Sequence, residues 1–344
     1  MEAHGEDVLR MRRKVCAAIR HPALREGQTA FAREFLKVLR MIYGDELIVI
    51  DTANCAVPSK NIKNMFLLCE ATKILSARCD VVILLNVNKL LITALNLRRH
   101  RVLSFQFSYL PEIHGNWKVK RALIERGSTL VVGTSRRTAQ LFNNGVFTYP
   151  PVDADLFKPR DKLYVRRLLG LPVDKFIVSY VGDLDVNRGF DVVARLAAEL
   201  GGDRVKFLIT SLRIENLPKE VLLHLKKALS KNAIVIKGLT PIWYIYNAVD
   251  VLLLPFSGPY PTEPPATLVE ALASGTPVIG GPSPTMDDYT GLYIRVKDND
   301  YLSLVKQTID MRTELDKLSI KVREFATKNL AHRPVAHRLS KMLI

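Results

Sequence analysis

The sequence lacks any uninterrupted apolar run of bilayer-spanning length. Its longest apolar stretch, residues 81–97, is broken by Asn86, Asn88 and Lys89 and reads as a strand followed by the start of a helix. The opening residues, MEAHGEDVLRMRRKV, lack the continuous apolar segment of a secretory signal, so the chain is expected to be cytoplasmic. Cysteine is scarce. Cys16, Cys55, Cys69 and Cys79 stand at no metal-ligand spacing and read as buried free thiols in a reducing compartment. There is no short repeat or low-complexity tract, and no basic helix with interleaved aromatics, which sets nucleic-acid binding aside.

What is present is a chain of 344 residues, 48% hydrophobic and 24% charged, enough for two domains with a cleft between them. A net charge of +16 calls for an anionic partner: nucleic acid, anionic lipid or a phosphorylated substrate. Short β-branched runs at 15–19, 47–50, 81–85, 102–107 and 130–133 alternate with helical stretches. A second set lies at 176–182, 205–210, 233–238, 249–255 and 276–281. Continuous apolar strands separated by helices indicate parallel sheets covered on both faces, so the expected class is α/β with two Rossmann-like domains. The proline-bearing segment 149–162 falls between the two sets as a linker.

Ligands of open α/β sheets collect at the carboxyl ends of strands, where helix N-termini present free amides. After the run VDVLLLP the chain reads FSGPYPTEPPATLVEALASG, with a helix expected to begin near Ala266 or Thr267. A diphosphate is expected on the amides of Thr267 and Leu268. Glu263 precedes the helix and Glu270 is placed in its first turn, with six residues between them. A carboxylate there can accept both hydroxyls of a ribose. The same residues, Thr267 to Glu270, also spell a capping box that satisfies the helix start by itself.

The segment PTEPPATLVEALASGTPVIGG resembles the donor-binding motif of retaining glycosyltransferases of the GT-B fold, family 4 in particular. Other landmarks follow in order: Glu26-Gly27-Gln28, VGTS at 132–135, YPPVDADLFKP at 149–159 and YVGDLDVNRGFD at 180–191. The resemblance implies two Rossmann-like domains with parallel sheets facing across a cleft. The implied divisions are an acceptor-binding domain at 1–155, a nucleotide-sugar-binding domain at 156–325, and a C-terminal helix at 326–344 packing back on the first domain. It also implies an enzyme that moves a hexose from a nucleotide-diphosphate sugar to a hydroxyl acceptor with retention of configuration. The nucleotide sugar is a substrate, and no metal or other cofactor is expected. By resemblance Glu270 holds the ribose, Glu263 contacts the transferred sugar, Arg188 steadies the leaving diphosphate, and Gly27 lets the backbone approach the phosphate. Gly182 and Ala266 belong to the same donor site, and Lys237, Gly238 and Leu239, at a strand end, are placed near the base.

Three departures stand out. The glutamates are separated by six residues where the family commonly has seven. Asp183 follows Gly182 where an arginine is usual, and Gln106 stands where relatives carry a histidine near sugar and acceptor. Gln28, Gln106 and His114 are the candidates for the sugar or acceptor. These departures motivate the alternative of a non-catalytic binding or scaffold subunit. Basic clusters at Arg10–Lys14, Arg98–Arg101 and Lys118, Lys120, Arg121 and Arg126 read either as solvated surface or as attachment to an anionic membrane. On the second reading Trp117 is the interfacial anchor and the acceptor is lipid-linked or phosphorylated.

Overall fold

Val15–Ile19 (β1) is buried along its whole length, as befits a strand inside a parallel sheet with both faces covered. In the computed structural model, residues 14–19, 27–52, 55, 63–85, 101–106, 117–211, 214, 217–230, 233–237, 240–256 and 264–343 are described. Leu47–Asp51 (β2), Val81–Leu85 (β3), Arg101–Gln106 (β4), Leu130–Gly133 (β5) and Gly145–Phe147 (β6) complete a six-stranded sheet of order β2-β1-β3-β4-β5-β6. All its pairings are parallel, with Val15 opposite Leu47 on one side and Val81 on the other.

A second six-stranded parallel sheet is built from Phe176–Val181 (β7), Val205–Ser211 (β8), Ile234–Lys237 (β9), Val251–Leu254 (β10), Val278–Gly280 (β11) and Ile294–Arg295 (β12). Its order is β12-β11-β10-β7-β8-β9. The reading of two parallel α/β sheets therefore holds. The two strands that it lacked, β6 and β12, are three- and two-residue edges with little burial of their own.

Helix Gly27–Tyr43 (α1) buries Phe31, Phe35, Val38 and Leu39 against the first sheet. The chain passes to the second domain through residues 148–161, where Val152 N–H donates to the Leu330 carbonyl at 2.8 Å. It returns at the junction of Arg312–Asn329 (α11) and His332–Leu343 (α12), so both crossings lie side by side. The boundary drawn between 325 and 326 falls inside α11. The last helix, α12, packs on α1, and one apolar cluster runs continuously from Phe35 and Phe105 through Val335 and Leu339 to Ile245 and Leu268. Beside it Tyr149, Tyr289 and Phe325 form an edge-to-face group with centroids 5.3 to 6.2 Å apart. Arg136 ties the domains at a third point. Its backbone N–H donates to Asp288 Oδ2 at 2.8 Å and its guanidinium lies 3.2 Å from Oδ1.

The cysteines correct the free-thiol reading. Cys16 is bonded to Cys79 and Cys55 to Cys69, with Cα separations of 6.0 and 5.6 Å. The first pair arises because β1 lies beside β3, which sets Cys16 next to the turn entering β3, 63 residues away. Such adjacency has no signature in local spacing. Trp117 is partly buried and packs against the cluster around Cys16, Ile124 and Phe142, with Arg121 5.9 Å over its ring. Its neighbour Val119 is the exposed apolar residue there. No helix among the described residues is long and apolar enough to cross a membrane.

Candidate functional site

Strand β7 ends at Val181 and the chain turns at Gly182, whose φ of +149° lies in a region that side chains disfavour. Gly182 N–H donates to the Thr210 carbonyl at 3.0 Å, holding the turn against the end of β8. Residues Val186–Arg188 form a 3-10 turn capped by Asp185, which accepts from Asn187 N–H at 2.8 Å. Gly189 then enters helix Phe190–Leu200 (α6) with φ +77°. A Cβ built on Gly189 would stand 2.1 Å from the Pro255 carbonyl oxygen, so only glycine lets this turn lie against the end of β10. That contact brings Arg188 to the carboxyl edge of the second sheet, close to the entry of the Glu263 loop. Arg188 lies 3.5 Å from Asp183, and both side chains are about half exposed. The arginine itself thus compensates the carboxylate that departs from the family pattern.

Ala266–Ser274 (α9) is the next helix at that edge. Pro265 is its N-cap and makes no side-chain cap, so Thr267 and Glu270 do not form a capping box. Glu270 is the fifth helical residue, in the second turn rather than the first. The Leu268 amide donates to the Pro265 carbonyl at 3.0 Å, because the first turn is tightened. It is therefore the amides of Ala266 and Thr267, not that of Leu268, that remain as anion donors of the first turn among the described residues. Leu268 is instead a core side chain with no exposure.

Glu270 is partly buried and accepts a hydrogen bond from the Tyr246 hydroxyl at 2.7 Å. Tyr246 belongs to Ile242–Ala248 (α8) and is held fully inside the core. Burial pushes the Glu270 carboxyl up to about 7; the Tyr246 bond opposes the shift, Glu34 adds to it and Arg33 opposes it. Those last two residues lie on α1, which touches α9 across the cleft. Glu34 accepts or shares a 2.6 Å bond with His332 Nε2 and pairs with Lys37 at 3.0 Å, while Lys37 also reaches Asp153 at 3.2 Å. Glu34, Asp153 and His332 are close enough together to ligate a cation, but Lys37 already occupies the space between the carboxylates.

The structure thus brings together Gly182, Arg188, Ala266, Thr267 and Glu270 along one sheet edge. Gly27 begins α1. Gln106 and Lys237 end β4 and β9, with their side chains outside the described set, as is that of Gln28. Glu263, His114, Gly238 and Leu239 lie outside the described residues. Local sequence pattern gave no sign of Tyr246, Arg33, Glu34 or Asp288: each acquires its place through an element distant along the chain.

Over 96% of its length this chain superposes on 99% of HepE from Anabaena, solved in complex with UDP, with a TM-score of 0.78 and 14% identity. Sucrose-phosphate synthase from Thermosynechococcus elongatus is matched over 96% of this chain and 98% of that one, with a TM-score of 0.76 and 15% identity. The chain has the GT-B fold. Its two six-stranded parallel sheets match glycosyltransferases such as WaaG, on which it superposes with a TM-score of 0.69 at 11% identity. In sequence it is 28% identical over 191 residues to the D-inositol 3-phosphate glycosyltransferase of Mycobacterium tuberculosis. The match spans 51% of this GT-B chain but 39% of that relative. No family model matches.

Proposed function

We propose that the protein is a retaining glycosyltransferase that moves a hexose from a nucleotide-diphosphate sugar to a hydroxyl acceptor. The observation that carries this reading is Glu270: a carboxylate at the carboxyl edge of the second sheet, fixed by Tyr246 and facing the first domain. In that position it accepts ribose hydroxyls, and the amides of Ala266 and Thr267 receive the diphosphate. The UDP and UDP-glucose complexes of HepE support a uridine donor. As the glycosidic bond breaks, negative charge grows on the diphosphate, and Arg188 is the cation set to meet it. Its pair with Asp183 does not bar this role. A half-exposed ion pair contributes about 0–1 kcal/mol, so a doubly charged diphosphate displaces it. Glu263 contacts the transferred sugar on this reading, and no metal is needed.

The acceptor is proposed to bind the first domain, with Gln28, Gln106 and His114 as the residues that meet it or the sugar. A lipid-linked or phosphorylated acceptor, with the protein at the inner face of an anionic membrane, fits the basic surface of that domain. Sugar transfer and donor hydrolysis should be measured with UDP-, GDP- and ADP-sugars for the native protein, Arg188→Ala and Glu263→Ala. Both substitutions are expected to lower turnover at least 100-fold. Donor binding without any turnover in the native protein would establish the scaffold alternative instead.

A further inference from the structure

Arg33 lies on the α1 face that carries Lys37, Arg40 and Met41, all of them exposed one or two turns further along. At Arg33 that face is only partly exposed, and α1 touches α9 of the second domain. The Arg33 Nε is out of contact with solvent and has no hydrogen-bond partner among the described residues. No described carboxylate lies within 4.0 Å of it. Its neighbour Glu34 is committed to His332 and Lys37, and Glu270 on α9 is engaged by Tyr246. A desolvated, unpartnered Nε is costly, and the guanidinium's other donors form a fork whose geometry suits a phosphate oxyanion.

We propose that Arg33 is a donor-binding residue supplied by the first domain, its guanidinium taking a diphosphate oxygen across the cleft from Glu270. The inference rests on Glu270 marking the nucleotide site. It gives the first domain a direct hold on the nucleotide, so that donor binding draws α1 and α9 together. Glu34, one residue on, anchors the same turn of α1 to the inter-domain crossing through His332. The diphosphate therefore bridges two elements, α1 and α9, that already touch.

The test is calorimetric titration of the full chain with UDP and with uridine, for the native protein and Arg33→Gln, alongside the unliganded Tm. A lost charge-assisted bond should weaken UDP about 10- to 100-fold. Uridine affinity should stay within about twofold and Tm should be unchanged. Arg33→Met, which keeps an unbranched stem against α9, is read by the same criteria if the glutamine variant lowers Tm. UDP affinity within about twofold of native, or an equal loss for uridine, overturns the proposal. If the native protein binds none of UDP, GDP or ADP, the nucleotide-site reading itself fails and this inference falls with it.

Discussion

Glu270 sits in an environment that works against its charge. Burial raises its proton affinity to about 7, while one hydrogen bond, from Tyr246, stabilises the ionised form that ribose hydroxyls need. Tyr246→Phe removes that bond without opening a cavity. The expected result is a pH profile for UDP affinity displaced upward, with weaker binding near neutrality and recovery in mild alkali, read by titration across pH 6 to 9. Stability responds to the same group in the opposite sense. Unfolded, the carboxyl ionises near 4.5; folded, it holds its proton to about 7. Its contribution is therefore complete below about 4.5 and is lost as pH rises through about 7. Thermal scans in the absence of nucleotide should show part of this decline vanish in Glu270→Gln.

At the scale of elements, the site depends on how tightly the turn before α6 lies against the end of β10. Gly189 is the hinge of that arrangement, with a left-handed φ and the Pro255 carbonyl where a methyl group would go. Gly189→Ala is expected to destabilise by more than the roughly 1–2 kcal/mol of a left-handed alanine, since the clash adds to it. It should also move Arg188 away from the sheet edge. A lowered Tm together with reduced turnover checks this; an unchanged Tm would show that the turn relaxes freely. Helix α9 divides its residues by face: Leu268, Val269, Ala271 and Leu272 fill the core, and Thr267 and Glu270 keep partial exposure. This explains why an apolar motif can hold a polar ligand.

The whole molecule is closed by contacts between distant segments: α12 on α1, Arg136 on Asp288, and the Tyr149 group between the domains. The two disulfides strengthen the first domain alone, and they remove the argument that its thiols require a reducing compartment. Closing loops of these lengths stabilises by about 4 and about 3 kcal/mol in the chain-entropy estimate. Reductant is therefore expected to lower the Tm of the first domain by many degrees, followed by calorimetry with and without a thiol. A native Tm indifferent to reductant would mean that the bonds are not formed.

The strands and the donor helix were legible because their residues are contiguous: apolar runs such as FIVSYV and VLLL can be buried only in a covered parallel sheet, and PTEPPATLVEALASGTPVIGG carries its helix start and carboxylates within one segment. The edge strands β6 and β12 were not legible, since two or three half-exposed residues leave no pattern. The helix start at Ala266 was read correctly, but Glu270 falls in the second turn rather than the first, and Pro265 rather than Thr267 stands at the cap. Pairings between remote positions were beyond any local reading. Cys16 finds Cys79, Tyr246 finds Glu270 and Arg33 arrives at the cleft only when strand order and domain packing are fixed. By itself the sequence determined which segments must be buried and which chemistry one edge of a sheet would carry. Only the tertiary structure decided which charges meet there, because proton affinity, ion pairing and disulfide formation depend on distance in space.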